Sequence, residues 1–224
     1  MKVLVKISIM IAVLGFLLPG SMALASPITW NGWTSATSGV MGSVAVSFDS
    51  GGSTSLFVSG YPSYTPSTTF ADGTIVDNAP SSSDGIIRLF GGNSNINTVT
   101  FSVPVIDPVF AIWSLGQSGI VASFDFIDLT PIFVSGGPSA EYSGLPISVL
   151  GNVVSGREGN GTVQFLGTYS SISWTNPVYE NWYGFDVGMA GVAERAPVPE
   201  PSTLLLLGFG LGGLALFGRK RKQA

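Results

Sequence analysis

The chain has 224 residues, of which 45% are hydrophobic and 10% are charged, and its formal net charge is −4. It contains no cysteine and no histidine, which excludes disulfide bonds, thiolate nucleophiles, the common zinc sites and a histidine general base. Soluble domains are typically about a quarter charged, so this composition does not fit a simple cytosolic domain.

The N-terminus has the three-part organisation of a secretory signal. Residues 1–6 carry two lysines, residues 7–18 are an apolar run, and Ala23 and Ala25 are small residues at the −3 and −1 positions that signal peptidase requires. We therefore expect residues 1–25 to be a helical signal peptide that signal peptidase cleaves after Ala25. The alternative is a retained N-terminal anchor, although a 12-residue apolar run is short for a membrane span.

Residues 26–192 are predicted to form one exported all-β domain. Apolar and polar residues alternate in several short runs, as in the half-buried strands of antiparallel sheets. Glycine-rich turn signals separate the runs, and no sustained helical period is present. The pattern favours an antiparallel β-sandwich, of which the jelly roll is one form. The alternating runs are 44–48, 99–103, 122–126, 163–169 and 183–189.

The predicted domain is strongly acidic. Residues 26–196 include three arginines, no lysine and 12 acidic residues, which gives a net charge of −9. Such a charge opposes binding to the phosphate backbone of nucleic acids. A serine nucleophile would have neither histidine nor lysine as its base in this segment.

Carboxylates are the remaining candidates for catalysis and for metal binding. Because they are scattered over surface and turn positions, we expect no catalytic residues and no enzyme activity; the alternative is a carboxylate-dependent enzyme acting on glycans. We also expect no cofactor and no metal site, with a calcium loop site as the alternative. The candidate carboxylates for catalysis are Asp125, Asp128, Glu141, Glu158, Glu180 and Asp186. Those for calcium are Asp72, Asp77, Asp84, Asp125 and Asp128.

Two aromatic stretches are candidates for sugar binding, because exposed aromatic rings stack on sugars and neighbouring amides bind their hydroxyl groups. Trp30 and Trp33 have opposite strand parity, so at least one of them is expected to face out of the core unless the segment ends an edge strand. Trp113 and Trp174 are expected to be core residues. The candidate glycan contacts are Trp30, Trp33, Glu180, Asn181, Trp182 and Tyr183.

The C-terminus combines a proline-rich stalk, an apolar segment and a basic tail. The stalk spans residues 193–203, residues 204–218 are predicted to form a single transmembrane helix, and residues 219–224 a basic cytoplasmic tail. An apolar run of 14 residues from 204 to 217 rises about 21 Å as a helix, against a hydrocarbon core of about 30 Å. The basic residues are Arg219, Lys220, Arg221 and Lys222.

The stalk contains the sequence Pro199-Glu200-Pro201, in which the two prolines favour an extended backbone that a protease-like cleft accepts. With the apolar segment and basic tail that follow, residues 198–222 resemble the PEP-CTERM sorting signal. This resemblance implies exosortase as a processing enzyme, transient anchoring in the inner membrane, removal of the tail near the motif, and delivery to the outer surface or an exopolysaccharide matrix. The alternative is a permanently anchored single-pass protein.

Overall fold

The structure is a computed structural model that describes residues 27–193 together with Leu206, Leu207, Phe209 and Leu211. The predictions for the signal peptide, its cleavage residues, the Pro-Glu-Pro motif and the basic tail lie outside these residues, as do most of the stalk and of the apolar segment. Leu206, Leu207, Phe209 and Leu211 are helical and exposed. Among the described residues, no helix has the length and hydropathy that a membrane crossing needs.

Residues 27–193 contain sixteen β-strands and one short 3₁₀ helix. The strands are β1 Thr29–Trp30, β2 Gly32–Trp33, β3 Ser38–Met41, β4 Val44–Asp49, β5 Ser55–Val58, β6 Ile86–Leu89, β7 Asn93–Ile106 and β8 Val109–Leu115. They continue with β9 Ala122–Phe126, β10 Ile132–Gly136, β11 Ser148–Leu150, β12 Val153–Gly156, β13 Gly159–Gln164, β14 Thr168–Asn176, β15 Tyr183–Met189 and β16 Gly191–Val192. The 3₁₀ helix is Ser67–Thr69.

The strands form two antiparallel sheets. Sheet A has the order β10-β13-β8-β15-β6-β5, with β1 paired to β15. Sheet B has the order β11-β12-β9-β14-β7-β4-β3-β2, with β16 paired to β7. From β7 to β10 and again from β12 to β15, each strand lies in the opposite sheet to the strand before it. The predicted all-β antiparallel class is confirmed.

One hydrophobic core joins the two sheets face to face, as in a β-sandwich. Trp174 of sheet B packs edge-on against Phe110 and Phe185 of sheet A, with ring centroids 5.4 and 5.0 Å apart. The indole N–H of Trp174 donates to Asn176 Oδ1 at 3.0 Å, so its polar atom is satisfied inside the core. Trp174 is thus a core residue, as expected.

A second cluster, here called the outer cluster, covers the opposite face of sheet A. The segment between β5 and β6, residues 59–85, lies over this face and contributes Tyr64, Phe70, Ala71 and Val76 to it. Thr162 of β13 donates its hydroxyl to the Phe70 carbonyl at 2.8 Å. Both faces of sheet A are therefore buried. The outer cluster consists of Ile28, Trp30, Tyr64, Phe70, Ala71, Val76, Ile86, Val109, Ala111, Trp113 and Val134.

This covering segment corrects the prediction for residues 183–189. The alternating pattern predicts that Gly184, Asp186 and Gly188 face solvent, but every residue of β15 is buried. The glycines leave the room that the outer cluster needs: a Cβ atom on Gly184 would lie 2.5 Å from the Ile87 carbonyl oxygen and 2.9 Å from the Ile86 side chain. Burial, with a further contribution from Asp84, raises the pKa of Asp186 well above its ordinary value.

The run 163–169 also differs from its prediction as one alternating segment. β13 ends at Gln164 and β14 begins at Thr168, and the two strands belong to different sheets. Gly167 lies in the connection with φ +125°, a backbone conformation that glycine adopts easily. The glycine that interrupts the run marks the passage between the sheets.

Candidate functional site

Four aromatic side chains form a group at one end of the outer face of sheet A, here called the Trp113 cluster: Tyr61, Trp113, Tyr142 and Trp182. The Trp113 ring lies 5.1 Å from that of Tyr61, 5.4 Å from that of Tyr142 and 6.4 Å from that of Trp182, measured between centroids. Trp113 is buried, as expected, whereas Tyr142 and Trp182 are exposed by 36% and 37%. The cluster therefore has a buried base and an exposed aromatic surface.

The register of three neighbouring strands positions this group. Gly184 of β15 pairs with Trp113 of β8 on one side and with Arg88 of β6 on the other. Trp182 lies just before β15, and its ring is near both partners, 6.4 Å from that of Trp113 between centroids and 4.1 Å from the Arg88 guanidinium carbon. The Ile86 side chain packs against the Cα position of Gly184, so Gly184 leaves room for the layer beside the cluster.

Arg88 is held against the exposed aromatic surface. Its guanidinium carbon lies 4.1 Å from the Trp182 ring centroid and 4.7 Å from that of Phe90, distances typical of cation–π interactions. Its Nε donates to the Asn181 carbonyl oxygen at 2.6 Å. These contacts fix the guanidinium and the Trp182 ring relative to each other.

Two concave regions adjoin the cluster. The first is shallow, with a volume of about 10 Å³, and its lining includes Tyr61, Arg88, Trp113 and Trp182. The second is a cleft of about 310 Å³ whose lining includes Tyr142, Arg157 and Glu158. One lining residue of each is close to the other, because the ring centroids of Trp113 and Tyr142 are 5.4 Å apart. The first can hold about one water molecule, so a larger ligand would lie across its mouth.

Glu141 lies under the cluster as an ionised group. Its carboxylate accepts hydrogen bonds from the Ser63 amide at 2.8 Å and from Trp113 Nε1 at 3.4 Å. Burial alone would raise the pKa of Glu141, but these hydrogen bonds lower it below its ordinary value. Burial, together with Tyr142 and Glu141, raises the pKa of Tyr61 to about 12, so its hydroxyl keeps its proton at neutral pH.

Glu180 differs from Glu141 because its charge is poorly satisfied. One carboxylate oxygen accepts a hydrogen bond from the Trp182 amide, while Oε2 is buried with no partner within residues 27–193. Burial, opposed by the Trp182 and Asn181 amides, raises the pKa of Glu180 to about 7, and Glu158 contributes to the rise. Glu158 itself accepts a hydrogen bond from the Ser114 hydroxyl at 3.1 Å. Glu180, with its raised pKa, and Glu158 are the two carboxyl groups here that can act as an acid and a base.

The structure separates the six predicted glycan contacts. Asn181 and Trp182 are exposed beside the pocket. Glu180 is buried next to them, and Tyr183 points into the core between the sheets. The predicted stretch 180–183 therefore contributes its middle residues to the surface, while its outer two side chains are enclosed.

Neither Trp30 nor Trp33 faces solvent, and the exception for an edge strand applies, because Trp33 lies in β2 at the edge of sheet B. Both are buried, with 9% and 4% of their surface exposed. Trp30 pairs with Gly188 in sheet A, whereas Trp33 pairs with Gly39 in sheet B. Strand parity holds only within one strand, and here the chain crosses between sheets at Asn31. Each tryptophan enters a different cluster.

The sequence did not indicate that Tyr61, Arg88, Trp113 and Tyr142 lie around Trp182. They come from four separate parts of the chain, and no short-range spacing connects them. The one available signal was Arg88, since arginine is rare in this acidic domain. An isolated cation in an acidic domain is a reason to ask what it contacts.

The aspartates considered for calcium do not gather at one place. Asp72 Oδ1 accepts hydrogen bonds from the amides of Thr74, Ile75 and Val76, at 3.1, 2.8 and 2.9 Å, and Asp84 accepts one from Ser81 at 2.7 Å. These two carboxylates close turns. Within the described part of the chain, no group of three or more acidic side chains is arranged to hold a metal ion.

The comparison with protein families matches residues 197–222 to the PEP-CTERM protein-sorting motif. The chain matches no curated protein and no solved structure. The matched segment contains the Pro199-Glu200-Pro201 motif and the four basic residues at 219–222, which the sequence had singled out. The chain therefore carries a PEP-CTERM protein-sorting motif, which implies export, transient membrane anchoring and processing by exosortase.

Proposed function

We propose that this exported protein is delivered to the outer surface or extracellular matrix, where its β-sandwich binds exopolysaccharide without catalysing a reaction. The sorting motif supports the delivery. The observation that supports binding is the Trp113 cluster, where Arg88 and the half-exposed Trp182 ring are fixed together at the surface. Carbohydrate sites combine aromatic surface with a few well-placed polar groups.

The polar groups around the cluster suit sugar hydroxyls. The ionised Glu141 offers acceptor oxygens, the Tyr61 and Tyr142 hydroxyls can donate or accept, and the Arg88 guanidinium donates. A small pocket and an open cleft beside an exposed ring fit a long chain that lies along the surface. They fit a small molecule that must be enclosed less well.

Removing the exposed ring tests the binding. The full chain in detergent, with Trp182→Ala and Tyr179→Ala variants, is titrated with exopolysaccharide purified from the producing cells. Tyr179 is the matched control because it is exposed by 62%, lies in the same connection and lines neither pocket. We expect Trp182→Ala to weaken binding at least about tenfold and Tyr179→Ala to leave it nearly unchanged. Equal binding by all three proteins would contradict the proposal.

A second candidate function is a carboxylate-dependent glycan-active enzyme. Its specific support is Glu180, a buried carboxyl with a pKa of about 7 that interacts with Glu158, since glycosidases pair a raised-pKa acid with a second carboxylate. The binding proposal is favoured because Glu180 is enclosed below the surface. Release of reducing sugar from the same polysaccharide, lost in Glu180→Gln and Glu158→Gln but retained in Tyr179→Ala, would establish the enzyme instead.

A further inference from the structure

Positive charge is scarce in residues 27–193, and both residues that carry it line the candidate site. Residues 27–193 contain 11 acidic residues and two basic residues, Arg88 and Arg157. Arg88 lines the shallow pocket of the Trp113 cluster and Arg157 lines the adjoining cleft. Thus both basic side chains of the described chain lie beside the surface on which the proposed function depends.

Arg88 retains binding capacity. Its hydrogen bond to the described chain is made by Nε, and the flat face of its guanidinium lies against Trp182 and Phe90. The two terminal Nη nitrogens are left to bind solvent or a ligand. A guanidinium with both terminal nitrogens available matches the two oxygens of a carboxylate, as a bidentate, charge-assisted pair.

The rest of the domain is acidic and repels anions, so the position of the two arginines matters for binding them. A net charge of −9 over residues 27–193 repels acidic polymers from most of the surface. Non-specific attraction of an anionic chain is therefore weak, and any binding must come from a local arrangement. Arg88 and Arg157 supply that arrangement, and Arg157 shares its cleft with the Glu158 carboxylate.

We propose that Arg88 and Arg157 select an acidic polysaccharide, one whose sugars carry carboxylates, and that Arg88 binds a sugar carboxylate while Trp182 and Tyr61 contact the ring. This inference rests on the proposed function and adds the chemical class of its ligand. Arg157, in the adjoining cleft, contacts a later carboxylate of the same chain. A repeating acidic chain can use both openings at once, which an isolated anion cannot.

The test compares two probes with the same sugar backbone, of which only one carries charged carboxylates. The full chain in detergent is titrated with hexagalacturonate and with its fully methyl-esterified form, using calorimetry. We expect the acidic hexamer to bind at least about tenfold more tightly than the ester, because the ester cannot form the charge-assisted pair. Arg88→Gln should remove most of this difference, and Arg157→Gln should reduce it several-fold.

Two further variants keep the test independent of folding and of net charge. Arg88→Lys keeps the charge but loses the paired geometry, so it should bind the acidic hexamer several-fold more weakly than the parent protein. Thr100→Glu lowers the net charge by the same amount as Arg88→Gln, at an exposed position of β7 in sheet B, and should leave the preference nearly unchanged. The thermal unfolding of each variant reports whether it is folded.

Each outcome separates this inference from the proposed function. Equal affinity for both probes, lost in Trp182→Ala, would overturn the acidic preference and leave the proposed function standing. A preference that survives Arg88→Gln and Arg157→Gln in folded protein, or that Thr100→Glu abolishes, would overturn the assignment to these arginines. Failure to bind either hexamer, together with failure to bind the native polysaccharide, would overturn both.

Discussion

The outer faces of the two sheets differ although the sheets share one core. In β4 of sheet B, buried and exposed residues alternate strictly, and the exposed positions include Ser47. In β8, β13 and β15 of sheet A every residue is buried, because residues 59–85 lie over the outer face. The aromatic and charged groups of the candidate site lie at one end of this covered face, whereas the bare face presents small hydroxyl side chains.

The difference indicates where in such a domain a functional site can form. A bare sheet face needs only small polar side chains, and its strands can be recognised from their alternation. A covered face must pack a second layer, and the margin of that layer brings buried and exposed aromatic residues together. The candidate site is formed at such a margin.

The largest effect is expected when a carboxylate is placed on each face. Ala111 lies in the outer cluster with no exposed surface and pairs with Asp186, so Ala111→Asp buries a carboxyl without a partner beside a second carboxyl. We expect a loss of about 4 kcal/mol or more in the free energy of unfolding. Urea denaturation of the full chain in mild detergent measures it.

Thr100→Asp on the bare face of sheet B is the matched control and should cost less than about 0.5 kcal/mol. Similar losses in the two variants would show that the faces do not differ as described.

The next test uses pH and Glu180. Since burial raises its pKa to about 7 from 4.5, the folded protein holds a proton between these pH values that the unfolded chain has released. The contribution of Glu180 to the free energy of unfolding is therefore fully present below pH 4.5. It falls as the pH rises towards 7 and changes little above pH 7. The slope is at most about 1.4 kcal/mol per pH unit.

Glu180→Gln cannot release a proton and should lose less stability across this pH range than the parent protein, as measured by urea denaturation at several pH values. Asp186 contributes to the slope in both proteins, so the difference between them isolates Glu180. Parallel pH profiles would contradict the assignment.

A smaller effect is expected from adding one methyl group between the layers. Gly184→Ala would bring a Cβ atom to 2.5 Å from the Ile87 carbonyl oxygen, so the strands must shift, at a cost of about 1 to 3 kcal/mol. The thermal unfolding midpoint should fall accordingly.

Gly191 provides the matched control, because a Cβ atom there would have its nearest neighbour at 4.0 Å, in the Ile106 side chain. Gly191→Ala should leave the midpoint nearly unchanged. A midpoint for Gly184→Ala as high as that for Gly191→Ala would mean that the packing of the covered face is looser than the structure indicates.

The same comparison explains how far the sequence could predict the fold. Val44, Val46 and Phe48 alternate with polar residues because their strand has one bare face, and that strand was predicted at its observed place. The prediction for β15 was incomplete because the layer over it comes from residues 59–85, which have no alternating pattern of their own. An alternating pattern shows that one face of a strand is not hydrophobic. It does not show that this face is exposed, because a face of glycine and aspartate can still be buried.

The candidate site was predicted only in part for a related reason. Trp182 and Asn181 were identified as candidate contacts because aromatic and amide residues are neighbours in the sequence there. Arg88 and Trp113 meet Trp182 through strand pairing with Gly184, which no local pattern reveals. By contrast, the sorting motif lies in one continuous segment of the chain and could be identified from the sequence alone.

The most direct test of the account is the intact mass of the protein recovered from the cell surface and medium of the producing cells. Processing at both ends predicts a species that begins at Ser26 and ends near Pro199-Glu200-Pro201, without Leu204–Ala224. Replacing the motif with alanines should leave the longer, membrane-associated form. A surface-exposed species that still carries Leu204–Ala224 in the parent protein would contradict processing by exosortase and indicate a permanent anchor.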